Sequence, residues 1–500
     1  MKIPKSAGIV LCLLAITIFI AVCNDKPKKT DDANPVSGVI IPVELPVIVP
    51  GFNFPEDSNT IYSWLNNSSF PLNYDSVNVY KHGWGIWAGL TAKTNQVYAG
   101  DTLLAYQTWL GVTEVQSQII KGSQACDSAA KTMRAMFARP HQFGHHLSPM
   151  ERAQLLEMQE DPVTKNAQLM VTVSYDPNAA CYAIRNQILK QSVLNTYAKA
   201  GGIGSIPPFP SKAITTKPTY YVVEQTDGTV RIPVWPGPPP ALRAFGPGSW
   251  NNYVYIDMNN QQQPNKPLVP VGRDTKSADS IANATVNLND FIHFSLDEKM
   301  ANHINKSDST EGVSGRHRAK AGEIAILICM HVATKEISNW TWQTYYWAPN
   351  PGTPLAPSSN TVASLRPSQL QGAASHYAMA TAYAMVLPNQ PITGGTNTGV
   401  QPLLAYNPYL EAGFHGTAPE QGADFQLPSV LLPGPQFGVQ TNCMSCHAMA
   451  TQSNAPGYTT DMYISMNDPK LFNNQVQLDF AWSIEGNMIQ DAGTTAAGKK

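Results

Sequence analysis

The chain has 500 residues with 33 basic and 35 acidic side chains, a net charge of −2, and only 14% charged residues. That balance gives no basic stripe for nucleic acid and no acidic tail for a disordered partner arm, while the length is ample for a large buried core. The 40 prolines and 35 glycines, in a polar but uncharged background, suit a loop-rich protein working outside the cytoplasm.

The N-terminus agrees. Lys2 and Lys5 precede an uncharged apolar run from Ala7 to Cys23, which reads as an export signal over residues 1–23. It ends in Ile20-Ala21-Val22-Cys23, similar to a bacterial lipoprotein cleavage box except at Val22, where a small residue is usual. Lipid anchoring at Cys23 is the expectation, with simple cleavage and an uncleaved anchor helix as alternatives. All three put the body in the periplasm or cell envelope. Residues 24–56 read as a tether: Asp25 to Asp32 is charged and free of apolar residues, and Val39 to Val49, broken by Pro42 and Pro46, is expected to lie extended against the body.

Residues 57–205 read as a helical/αβ region, mostly helical in pattern to about residue 160. Trp84 to Leu90 and Leu103 to Leu110 are aromatic-rich packing segments. Ser148-Pro149-Met150-Glu151 is a capping box opening a helix through Gln159. Leu169, Val171, Val173 and Tyr175 alternate as a strand, and Asp176-Pro177 starts a helix carrying Cys181, Ile184 and Ile188, stopped by Gly201-Gly202.

Residues 206–395 carry strand signals. Tyr220 to Val223 and Val230 to Ile232 flank Asp227-Gly228, a strong hairpin signal. Trp250 to Met258 and Val286 to Phe294 follow. Ile324 to Met330 is apolar on both faces and predicts a central strand. Trp340 to Trp347 alternates, with Trp340, Trp342 and Tyr346 on one side, as sheet core or as the lining of a groove. Another apolar segment runs from Tyr377 to Val386. The predicted fold is α+β: a large sheet-rich body with an N-terminal helical region, and a small, mostly α-helical or irregular module over residues 396–500.

That last stretch holds Cys443-Met444-Ser445-Cys446-His447, the C-x-x-C-H spacing of c-type haem attachment. Two thiols three residues apart can add to the two vinyl groups of one porphyrin, and the following histidine can ligate its iron. With 7 cysteines and 11 histidines in the chain, chance explains the motif poorly. A zinc site would need a second Cys/His pair at short spacing, which is lacking; a structural disulfide or thioredoxin-like pair is the other reading. Of the remaining cysteines, Cys126 and Cys181 are the best-placed disulfide pair, though sequence cannot fix connectivity, and Cys329 reads as a buried free thiol.

Several stretches resemble a group of poorly characterised, exported bacterial cytochrome c family proteins: His82 to Ala88, Met330 to Ile337 running into Trp340 to Thr344, Tyr406 to Glu411, and Asn442 to Met449. The resemblance implies a single covalent haem c on Cys443 and Cys446 with His447 as an axial ligand, and no particular substrate.

For the other axial position the candidates are Met466, His331 and His376, with Met462 and Met488 behind them. Core packing is the ordinary role of such methionines, and a satisfied core histidine the ordinary role of His331. His141, His145 and His146 cluster in sequence, but Gly144 breaks their helix and no nearby cysteine completes a metal site. The expected function is an exported monohaem c-type cytochrome passing electrons to an unknown redox partner protein, held to the membrane through Cys23 and binding no nucleic acid. The alternative is a haem-containing oxidoreductase whose large body binds a substrate; a third reading is a sensor of a small gas. No catalytic motif beyond the haem signature is present.

Overall fold

In the computed structural model, which describes residues 38–69, 74–123, 126, 130–139, 167–262, 268–310, 317–414, 436–452 and 460–490, the both-face apolar run becomes the middle of the principal sheet. The sheet has eight strands: β1 (Leu110–Gly111), β2 (Ala167–Val171), β3 (Ser174–Tyr175), β4 (Ile214–Val223), β5 (His293–Ser295), β6 (Ile324–Thr334), β7 (Thr341–Trp347) and β8 (Tyr377–Ala382). Its order is β8-β7-β6-β4-β3-β1, with β5 on β6 and β2 on β4, and every pairing is antiparallel. The result is an α+β fold with a sheet-rich body.

Strand parity divides the molecule. Side chains alternate across a strand, so residues 341, 343, 345 and 347 of β7 face one way and 342, 344 and 346 the other. The first face is covered by α1 (Ser76–Leu90), whose residues from His82 to Leu90 are all buried. Trp87 stacks on Tyr345 with centroids 4.4 Å apart, and Tyr345 Oη donates to Gly83 O at 2.5 Å. Beside them His82 joins Tyr383 Oη (2.6 Å) and Glu336 Oε1 (3.1 Å) in a buried polar network. On the second face Trp342 meets His447, Thr344 meets Asn407, and Tyr346 bonds Leu355 O and Ser358 N.

The ladder between β4 and β6 is irregular next to that second face. The register of β6 slips between Leu327 and Cys329, opposite Tyr220 and Thr219, and resumes with Met330 opposite Pro218. The slip sits just before Met330 and His331.

Local signals hold where the element is self-contained. Asp176 caps α2 (Pro177–Asn186), accepting from Ala179 N at 2.8 Å. The segment from Ile40 runs along the body, with Ile40 bridging Lys131 and Leu45 buried. Cys126 and Cys181 form a disulfide, and Cys329 is a buried free thiol.

Other expectations are corrected. Asp227-Gly228 closes no hairpin: β4 is flanked by β6 and β2, so no edge is left for Thr229–Pro233, which pairs with Tyr253–Asp257 in a separate three-stranded sheet. Turn chemistry reverses the chain, but pairing goes where an edge is open. Asp101–Leu104 pairs with Lys93–Tyr98 rather than entering a helix, and α2 ends at Asn186 with Gln187 left-handed, well before Gly201-Gly202. Cys23, the Asp25 to Asp32 spacer, His141, His145, His146 and the Ser148 to Gln159 segment lie outside the described residues.

The described residues, from 38 onward, form one compact unit. Met444, Ala448, Phe472, Leu478 and Ile484 share a core with Leu110, Tyr175, Ile184 and Trp340, so the C-terminal segment packs on the sheet instead of enclosing a core of its own.

Candidate functional site

Local geometry alone brings three side chains of the motif together. Cys443–Ala448 is a short helix, α3, so Cys443, Cys446 three residues on, and His447 four residues on share a face. Asn442 caps it by accepting from Ser445 N at 3.0 Å. The same side chain donates to the carbonyls of Ala384 (3.0 Å) and Leu403 (2.5 Å). Ser445 Oγ donates to Met462 O at 2.7 Å, and Trp482 Nε1 to Cys446 O at 3.2 Å. These bonds hold the helix rigidly against the body.

Cys443, Cys446 and His447 line a cavity of about 240 Å³, whose other walls include Lys217, His331, Trp342, Glu411 and Met136. His447 Nδ1 lies 2.8 Å from Phe480 O. A carbonyl only accepts, so Nδ1 carries the proton and Nε2 keeps the lone pair. Burial pushes the imidazole down to about 3, with His331 and Lys217 adding to the effect against the Phe480 bond. His447 is therefore neutral, the form that binds metal.

Both motif thiols are free. Burial raises them, and the charge of Glu411 raises them further. Thioredoxin-type chemistry needs the opposite, a lowered thiol pKa.

The sheet supplies the facing wall. Lys217 of β4, His331 of β6 and Thr344 of β7 stand in one row across the strands. His331 is the one residue of β6 that is not fully buried. Its Nε2 lies 2.6 Å from Glu411 Oε1 yet makes no hydrogen bond, so among the described residues this buried nitrogen is without a hydrogen-bond partner. Burial pushes Lys217 down to about 8, opposed by Glu411. Ligand atoms of His331, Glu411 and Cys443 all lie within 4.8 Å of one another.

Glu411 is fixed from behind. Its carboxylate accepts from Asn407 N, and Asn407 Nδ2 donates to Thr344 Oγ1 at 2.7 Å. Gly438 passes so close that a Cβ there would sit 1.4 Å from Glu411 O, so only glycine fits.

Of the residues expected to complete the site, the structure brings only His331 to the cavity. His376 lies elsewhere, 3.5 Å from Asp290, and Met466 is buried in the core with its N–H on Ile392 O. Met462 and Met488 are not on the cavity wall either. Trp340 and Trp342 line the cavity while Tyr345, Tyr346 and Trp347 sit in the core. Sequence reasoning missed Lys217 and Met136, for which no local signal exists; Glu411 lies in the Tyr406 to Glu411 stretch but had no assigned role. Compared with known proteins, the chain matches no family model, no curated protein and no solved structure.

Proposed function

We propose that this chain is an exported monohaem c-type cytochrome that passes single electrons, with its haem bonded through Cys443 and Cys446 and ligated by His447. The observation that carries the reading is that two free thiols and one neutral imidazole share a helix face on one cavity, the imidazole's other nitrogen being engaged by Phe480 O. These donors fit the group: neutral thiols are what thioether formation consumes, and an imidazole held through Nδ1 presents Nε2 in a fixed direction.

Haem held there supplies a one-electron iron couple, tuned by axial ligands, hydrogen bonding and burial. The chain does the rest. Phe480 O and the Trp342 ring, 4.0 Å from His447 by centroid, orient the imidazole. Apolar wall residues such as Val332, Phe414 and Ala481 exclude water. Export through residues 1–23, anchoring at Cys23 and a redox partner protein belong to the same proposal.

Expression in a host that matures c-type cytochromes tests it. The mature protein should be red, gain the mass of one haem, and keep its pigment through acid-acetone extraction. Cys443→Ser with Cys446→Ser should lose the covalent pigment. Colourless wild-type protein with the mass of the bare polypeptide would refute the reading. The Lys217, His331 and Glu411 cluster on the cavity wall favours, as the second reading, a haem oxidoreductase with an open coordination position; ready binding of carbon monoxide by the reduced protein would mark that case.

A further inference from the structure

We infer that His331 is the second axial ligand and that Glu411 is its positioning residue, which rests on haem attachment at Cys443 and Cys446 as proposed above. Three observations carry it. First, among the described residues His331 is the one histidine besides His447 that lines the cavity, and it stands on the sheet wall rather than on the motif helix. Second, its Nε2 is a buried nitrogen lacking a hydrogen bond, although a carboxylate oxygen lies 2.6 Å away. Buried polar atoms are nearly always paired, so such an atom on a cavity wall points to a partner that the protein itself does not provide. Third, the ligand atoms of His331 and Glu411 lie within 4.8 Å of each other and of the Cys443 sulfur, the atom that fixes one edge of the haem.

The role of Glu411 follows from how it is held. Its carboxylate is anchored by Asn407 N, and its backbone is pressed against Gly438, five residues before the first motif cysteine. Glu411 meets the same Nε2 that would bind iron, so it holds the ring turned toward the cavity and yields that contact to the metal. Met136 is the rival: a thioether on the same wall.

The test is the optical and EPR spectrum of the purified holoprotein. Wild type should be six-coordinate and low-spin in both oxidation states, with the signature of two imidazoles and no binding of carbon monoxide when reduced. His331→Ala should convert it to high spin and open it to carbon monoxide, and added imidazole should restore the low-spin spectrum. Glu411→Gln should stay low-spin but shift the EPR g values and the reduction potential. Met136→Leu should leave the spectrum unchanged. The inference is overturned by a red, low-spin His331→Ala protein, by loss of the low-spin state in Met136→Leu, or by a high-spin wild type that binds carbon monoxide. If His331→Ala fails to fold, the wild-type spectrum and the Met136→Leu and Glu411→Gln variants still decide it. Wild-type protein that carries a divalent metal instead of haem overturns both this inference and the attachment reading, whereas a red protein with the wrong spectrum overturns this one alone.

Discussion

The indole of Trp342 packs on the imidazole of His447 with centroids 4.0 Å apart and planes tilted by 37°. One ring belongs to the principal sheet and the other to the motif helix, so this contact is where the body grips the site. Trp342 is nearly buried and its Nε1 donates to Asn339 O at 3.0 Å. Trp342→Ala should cost about 3–5 kcal/mol through the cavity it leaves. Urea unfolding of the variant against wild type measures this, and a loss under about 1 kcal/mol would show that the stack contributes little.

Asn442 caps the motif helix and satisfies two carbonyls of the body at once. Asn442→Ala removes the cap, worth about 1 kcal/mol, and leaves the buried Ala384 carbonyl without this donor, at roughly 1–3 kcal/mol, while the part-buried Leu403 carbonyl can turn to water. A total loss of about 2–4 kcal/mol is expected, with a lower yield of covalently pigmented protein from the same host. Wild-type stability and pigment yield in the variant would contradict the assignment.

Asp176 should give the folded state a distinctive pH dependence. Burial raises its carboxyl to about 6, against hydrogen bonds from Ile214 N, Ala179 N and Asn178 that pull it down. An unfolded aspartate titrates near 3.9. Between about pH 4 and pH 6 the folded state thus holds more protons, so this group's contribution to stability falls as pH rises through that window. Asp176→Asn keeps an acceptor and removes the titration. Wild type should lose up to about 3 kcal/mol relative to the variant between those pH values. Parallel stability curves would disprove it.

The disulfide between Cys126 and Cys181 spans a sequence separation of 55 residues. Closing a loop of that size in the unfolded chain is worth about 4 kcal/mol on the chain-entropy account. The double variant Cys126→Ser with Cys181→Ser should lose stability of that order while keeping the motif cysteines free to react. Calorimetry of the two proteins decides it; an unchanged melting temperature would rule the contribution out.

What the sequence by itself determined is what a few neighbouring residues decide. The thiols and imidazole of 443–447 fall on one helical turn because their spacing matches its period, Asp176 before Pro177 begins a helix, and Ile324 to Met330 sits mid-sheet because both its faces are apolar. Only the tertiary structure decided what faces the motif. Lys217, His331 and Thr344 come from three strands and meet because antiparallel register and strand parity put them in one row, and Glu411 is brought to that row by Asn407, which bonds Thr344. The same physics separates His376 and Met466 from the cavity and denies Asp227-Gly228 its hairpin. A turn or a helical turn is written in adjacent residues, whereas the choice of strand partner depends on which edges the rest of the chain leaves open.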